Sequence, residues 1–225
     1  MDLYIPSYTP TLASLIESRK PSVQSLDEPS MLLVQPDVQL EKALEERGVI
    51  QTVCPSVETL FQEKATPIST LECLKHHRFM HISCHGTLEP VKPFDAFFEL
   101  YEDAHLTLLD IIRSRLSTAE FAFLAACHTA EITEESIANE GLHLAAAVQY
   151  SGFRSVVGTM WEMASIDGPV VTRSFYKSVF SDRWKGIPYY ERTAEALRDA
   201  VRNLREKRKR NMTFERRVNY VHYGA

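Results

Sequence analysis

Cysteine is scarce in this sequence: Cys54, Cys73, Cys84 and Cys127 are the only four in 225 residues, and no two stand at CxxC spacing. That excludes a disulfide framework and a paired-thiolate zinc motif, and it fits reduced thiols in a cytosol-like compartment. Long apolar runs are lacking too. No window approaches the roughly 18 consecutive apolar residues of a membrane span, and Met1-Asp2-Leu3-Tyr4 does not begin the basic-then-apolar pattern of a secretory signal. No membrane association is expected, and cytoplasmic placement is. Eight glycines and eleven prolines are too few for collagen-like or low-complexity character. No segment repeats at a period of about 20 to 50 residues, which excludes a solenoid. What is present is ordinary globular composition, 44% hydrophobic and 24% charged, as expected for a single domain spanning 1–225.

The formal charge of −5 conceals an asymmetry. Residues 198–217 hold nine Lys/Arg against three Asp/Glu, whereas the rest holds 16 against 27. Lys207-Arg208-Lys209-Arg210 is the densest basic run and has the composition of a nuclear-import or polyanion-binding patch. The reading preferred is the solvated end of a helix, where cations complement the dipole. The chain as a whole is acidic and carries no aromatic-rich nucleic-acid motif, so a nucleic-acid partner is not expected.

Apolar runs alternate with amphipathic segments. Met31-Leu32-Leu33-Val34, closed by Pro36, has the look of a buried strand, and Leu40, Ala43 and Leu44 recur at helical spacing. Val49 to Val53 reads as a second strand, 68–76 as a helix, and 78–83 as a third strand. A helix over 108–116 precedes a strand over 121–126; a helix over 137–150, closed by Ser151-Gly152, precedes a strand over 155–160. Helices follow from Val170 to about Phe180 and from Tyr190 to about Lys207, and the aromatic stretch 214–223 packs back on the domain. This alternation predicts an α/β fold with a mostly parallel central sheet and helices on both faces.

Ligands of open parallel sheets bind beyond the carboxyl ends of the strands. Two strands there run into reactive side chains: the third into Ser83-Cys84-His85-Gly86, the fourth into Ala126-Cys127-His128-Thr129. If the two strands are neighbours, His85 and Cys127 emerge together on one rim, the minimum for a thiol nucleophile with an imidazole partner. A free thiol, with a pKa of roughly 8.5, is only slightly ionised at neutral pH; an imidazole raises the thiolate fraction and later protonates the leaving amine. The backbone N–H groups of Gly86 and Cys127 are natural oxyanion donors, and Ala125 and Ala126 leave room for a substrate. Taken singly, such a cysteine is more often a buried small hydrophobe and such a histidine a structural residue. The pair at matching strand ends is the informative feature. A zinc ion shared among His81, Cys84, His85, Cys127 and His128 is disfavoured, because alternation sends His81 and Cys84 to different sides of a strand. No metal or cofactor is expected.

The run His81-Ile82-Ser83-Cys84-His85-Gly86 resembles the histidine motif of CHAT domains, the caspase-like modules related to separase and found in tetratricopeptide-repeat proteins. Residues 123–130 resemble their cysteine motif. The likeness extends to 7–12, 106–111, 139–144, 152–161 and 221–224. It implies a caspase/separase-like fold and a cysteine endopeptidase acting in limited, regulated proteolysis, with Cys127 as nucleophile and His85 as its partner. Implied partners are a protein or peptide substrate and an activating protein or repeat domain. The chain departs from the family at His128, where another polar residue is usual, and at Ala130, where glycine is common. Its start is short by the family's standard, as in a fragment or a stand-alone remnant. The alternative these departures motivate is a catalytically silent signalling or interaction module of the same fold.

Substrate selection falls to rim loops. Residues 161–167 leave the strand after that of Cys127 and are expected to line the groove, with Trp161, Glu162 and Asp167 as candidate substrate contacts. A carboxylate at Glu162 or Asp167 suits a basic P1 side chain. The competing and preferred role for Asp167 is capping of the helix that follows.

Overall fold

The computed structural model describes residues 6–9, 11–20, 30–37, 41–87, 95–125, 145, 147–161, 163–208 and 212–225. Its strands are β1 (Met31–Gln35), β2 (Glu58–Phe61), β3 (Phe79–Ile82), β4 (His85–Thr87), β5 (Phe97–Glu99), β6 (His105–Thr107), β7 (Phe121–Leu124), β8 (Ser155–Thr159) and β9 (Tyr220–Gly224). Its α-helices are α1 (Leu12–Ser18), α2 (Glu41–Val53), α3 (Pro67–Leu74), α4 (Leu108–Ser114), α5 (Gly168–Val179), α6 (Tyr189–Lys207) and α7 (Phe214–Val218); residues 147–150 are also helical. Six strands form the main sheet in the order β2-β1-β3-β7-β8-β9. All neighbours are parallel except β8 and β9.

The central strands are apolar on both faces because both faces are covered, as expected of a parallel sheet. Leu32, Val34, Met80, Ile82, Ala122, Leu124 and Val156 pack on one side with Leu74 of α3 and Leu108 and Ile111 of α4. Met31, Leu33, Phe79, Phe121, Phe123 and Val157 pack on the other with Ile50 of α2, Phe175 and Tyr176 of α5, and Ala200 and Leu204 of α6. Capping boxes start two helices on the first side: Thr66 with Ser69 at α3, where Pro67 takes the first turn, and Thr107 with Asp110 at α4.

The expected strand over Val49–Val53 is instead the last third of α2. Its β-branched residues look strand-like locally, but Ala43, Glu46, Val49 and Ile50 are all buried, which is helical spacing against one layer. The second strand of the sheet comes later, at β2. The sheet's antiparallel edge, β9, and a separate antiparallel sheet β4-β5-β6 are also beyond the expected pattern.

The edge strand β9 holds the start of the chain. Tyr8 donates its N–H to the His222 carbonyl at 2.8 Å and accepts from Gly224 N–H at 2.9 Å. Ser7 Oγ lies 2.7 Å from His222 Nδ1, while Ser155 Oγ and Thr193 Oγ1 lie 2.7 Å and 2.9 Å from Nε2. The blocks 7–12 and 221–224 therefore form one clasp. Burial without an anionic partner pulls the His222 pKa down to about 4. The unfolded chain binds a proton on this residue near pH 6.5 and the folded chain does not, so His222 contributes full stability above that pH and loses it as the pH falls toward 4. Denaturant titrations should record a decline of about 3 kcal/mol over this window that a His222→Gln variant lacks. An unchanged decline in the variant would exclude His222 as its source.

Candidate active site

β3 and β7 are parallel neighbours, with Ile82 opposite Leu124 and the Ala125 N–H bonded to the Ile82 carbonyl at 2.9 Å. The carboxyl ends of β1, β3, β7 and β8 thus form one rim. From it emerge Asp37, the Ser83-Cys84-His85 turn, Ala125 and Trp161. His85 opens β4 and is anchored by pairing with Glu99 of β5, so the second sheet fixes the backbone of the histidine. Its side chain is 33% exposed, and Nε2 lies 3.8 Å from Asp37 Oδ2, itself 32% exposed. A carboxylate at this position can orient an imidazole.

Below the rim, on the α2/α5 side, is a buried polar cluster. His81 Nδ1 lies 2.9 Å from the Tyr176 hydroxyl, and the ring stacks on Phe123 at 5.0 Å. Its Nε2 is 3.8 Å from Glu46 Oε2, which accepts from Ser83 Oγ at 3.3 Å; Thr172 Oγ1 donates to Glu46 Oε1 at 3.5 Å. At residue 168, first in α5, a Cβ would collide with the Glu46 carboxylate, so any larger residue there would push that side chain out of its place in the cluster. Burial, with Glu46 as a lesser contributor, raises the Tyr176 hydroxyl well above its ordinary range. The cluster fixes Ser83, two residues before His85. Cys84 packs with Met80 and Ile82 on the opposite face from His81, as alternation requires.

Of the residues singled out by sequence, His85 and Ala125 stand at the rim, and Gly86 is buried in β4 opposite Phe98. Trp161 is half-buried, its N–H donating to Asn219 Oδ1 at 3.0 Å. Cys127, His128 and Glu162 lie outside the described residues. Asp167 departs from both expected roles. It occupies the N-cap position of α5 without a side-chain cap bond. Its carboxylate, 2% exposed, is gripped by Arg216 through Nε to Oδ2 at 2.8 Å and Nη2 to Oδ1 at 2.6 Å. The basic P1 partner imagined for it is replaced by an arginine of the chain itself. Among the described residues no group of three or more His, Cys, Asp or Glu side chains is placed to hold a metal ion, and no helix is long and apolar enough to cross a membrane.

Asp37 and Glu46 escaped the sequence reading. Asp37 had a usable signal, since it leaves a parallel strand on the same rim as His85. Glu46 had the weaker one of sharing the buried face of α2 with Ala43.

A mostly parallel six-strand sheet flanked by helices, with an imidazole at the carboxyl edge of a central strand, is the fold of caspase-like cysteine peptidases. The CHAT domain profile matches residues 2–223, and the chain belongs to that family. No curated protein sequence matches it. Among solved structures it is similar to separase in the Saccharomyces cerevisiae separase–securin complex, with a TM-score of 0.63 and 15% identity, covering 97% of this chain and 14% of that one. It is also similar to the Arg-specific cysteine proteinase gingipain R, with a TM-score of 0.57 and 10% identity, covering 86% of this chain and 45% of that one. The chain therefore spans a minor part of each.

Proposed function

We propose that the protein is a cysteine endopeptidase in which Cys127 is the nucleophile and His85 its acid–base partner. The observation that carries this reading is the placement of His85, with Asp37 at 3.8 Å, on the rim where β3 and β7 end side by side, β7 ending three residues before Cys127 in the sequence. In this scheme His85 takes the Cys127 proton, and the thiolate attacks the scissile carbonyl carbon. The oxyanion is held by the N–H groups of Gly86 and Cys127. The imidazolium then gives its proton to the leaving amine, and a water activated by the neutral ring hydrolyses the thioester. The substrate is a protein cleaved at few positions. The separase neighbour is held in a complex with securin, which supports a protein partner here too.

The test is an unbiased peptide-library cleavage profile of purified protein beside its Cys127→Ala variant, with labelling by a peptide electrophile as a second readout. Cleavage and labelling are expected in the parent and neither in the variant. Equal cleavage by both proteins would refute the assignment, and silence in both would leave the fold as a non-catalytic interaction module.

A further inference from the structure

The loop leaving β8 toward the groove is tied at several points to the C-terminal segment. Met160 donates its N–H to the Asn219 carbonyl at 2.8 Å, and Trp161 donates its own to Asn219 Oδ1 at 3.0 Å. Arg208, at the end of α6, donates to the Ile166 carbonyl at 2.8 Å, and its Nε lies 3.4 Å from Asp167 Oδ1. Arg216 of α7 closes the far end with two parallel bonds to Asp167. Asn219 and Asp167 are each 2% exposed, so the bonds that they accept are partly shielded from competing water, whereas the Arg208 to Ile166 bond is exposed. Between the two anchored ends, Asp167 donates its N–H to the Ala164 carbonyl at 2.8 Å, a single turn.

We propose that Arg208 and residues 212–219 form a strut that sets the shape of the groove loop, with Arg216 as a positioning residue for substrate binding. This rests on the peptidase reading of the same rim. The bonds of Arg208, Arg216 and Asn219 described above run to residues 160–167, so their loss should weaken substrate binding and leave the chemical step unchanged. It also gives part of the basic surplus of 198–217 an intramolecular role, since Arg208 and Arg216 face the loop.

The experiment pairs steady-state kinetics on a cleaved peptide with hydrogen exchange of the amides of 161–167. Arg216→Ala is expected to raise KM at least tenfold with kcat within about twofold, and to speed exchange in 161–167 while β3 and β7 stay protected. Arg216→Lys should recover only part of KM, because an ammonium cannot make both bonds. If Arg216→Ala does not fold, Asn219→Ala, which removes the acceptor of the Trp161 N–H, should move KM and exchange in the same direction by a smaller factor. A fall in kcat matching the fall in kcat/KM, or unchanged exchange in 161–167, would overturn the strut. Should the parent protein cleave nothing, the peptidase reading fails by itself. Exchange then decides the strut alone: faster exchange confined to 161–167 sustains it, and no change refutes it.

Discussion

Replacing His85 by alanine is expected to lower the turnover of a peptide substrate by at least about 100-fold, the lower end of what a positioned acid–base group contributes. The argument is positional. His85 leaves β3, whose register with β7 is set by Phe79, Met80, His81 and Ile82 against Phe121, Ala122, Phe123 and Leu124. Its backbone is held from the other side by β5. With a third of its side chain exposed, the residue contributes little to the core, so the variant should keep its unfolding transition. Asp37→Asn keeps the imidazole and removes only the charge that orients it, so its loss of turnover should be smaller. Stopped assays of both variants beside the parent protein separate the two. Loss of less than tenfold in His85→Ala would remove this residue from the mechanism.

The largest expected effect on stability lies at the opposite end of the sheet. Arg78, just before β3, donates through Nε to Glu120 Oε1 at 3.0 Å and also through Nη2; Glu120, just before β7, is 1% exposed. Burial raises the Glu120 carboxyl even with Arg78 beside it. Removing one partner of a buried pair strands the other, at a cost of about 3–5 kcal/mol, although the intact pair itself contributes little net stability. Arg78→Ala should therefore lower the melting temperature by about 10 °C or more. The stranded carboxyl can relieve itself by taking a proton. Its folded pKa then lies above the unfolded one, so the variant loses stability as pH rises through the ordinary carboxylate range, and the deficit should be larger at pH 8 than at pH 5. The double variant Arg78→Met with Glu120→Leu should recover much of the loss. A single-variant loss below 1 kcal/mol would mean that water reaches Glu120.

The parts of the fold legible in the sequence were those whose physics is local. β1, β3, β7 and β8 are buried on both faces, so each is a continuous apolar run that needs no partner to be recognised. β2 is an edge strand in which only Leu60 is fully buried, and Glu58-Thr59-Leu60-Phe61 has no such run. The strands of the second sheet have three residues each, too few for any period to register. Val49–Val53 misled because branched side chains suit a strand and a buried helix face alike. The site divides in the same way. His85 announced itself by chemistry at a strand end. The fate of Asp167 could not be read, because the arginine that takes it lies 49 residues further along the chain. Composition offered several other cations as plausible partners.

The clasp between the Ser-Tyr-Thr-Pro block and β9 has a geometric corollary. Ser7 Oγ donates to the Gly224 carbonyl at 3.0 Å, and Gly224 lies opposite Ser155, at the amino end of β8. β9 therefore runs from beside Thr159, at the rim, to beside Ser155, at the opposite pole of the sheet. Polypeptide fused after β9 would depart from that pole, pointing away from the substrate. Such an appendage leaves the entrance open unless it doubles back along the whole length of the sheet. A message from it to His85 must otherwise be carried through the strands themselves.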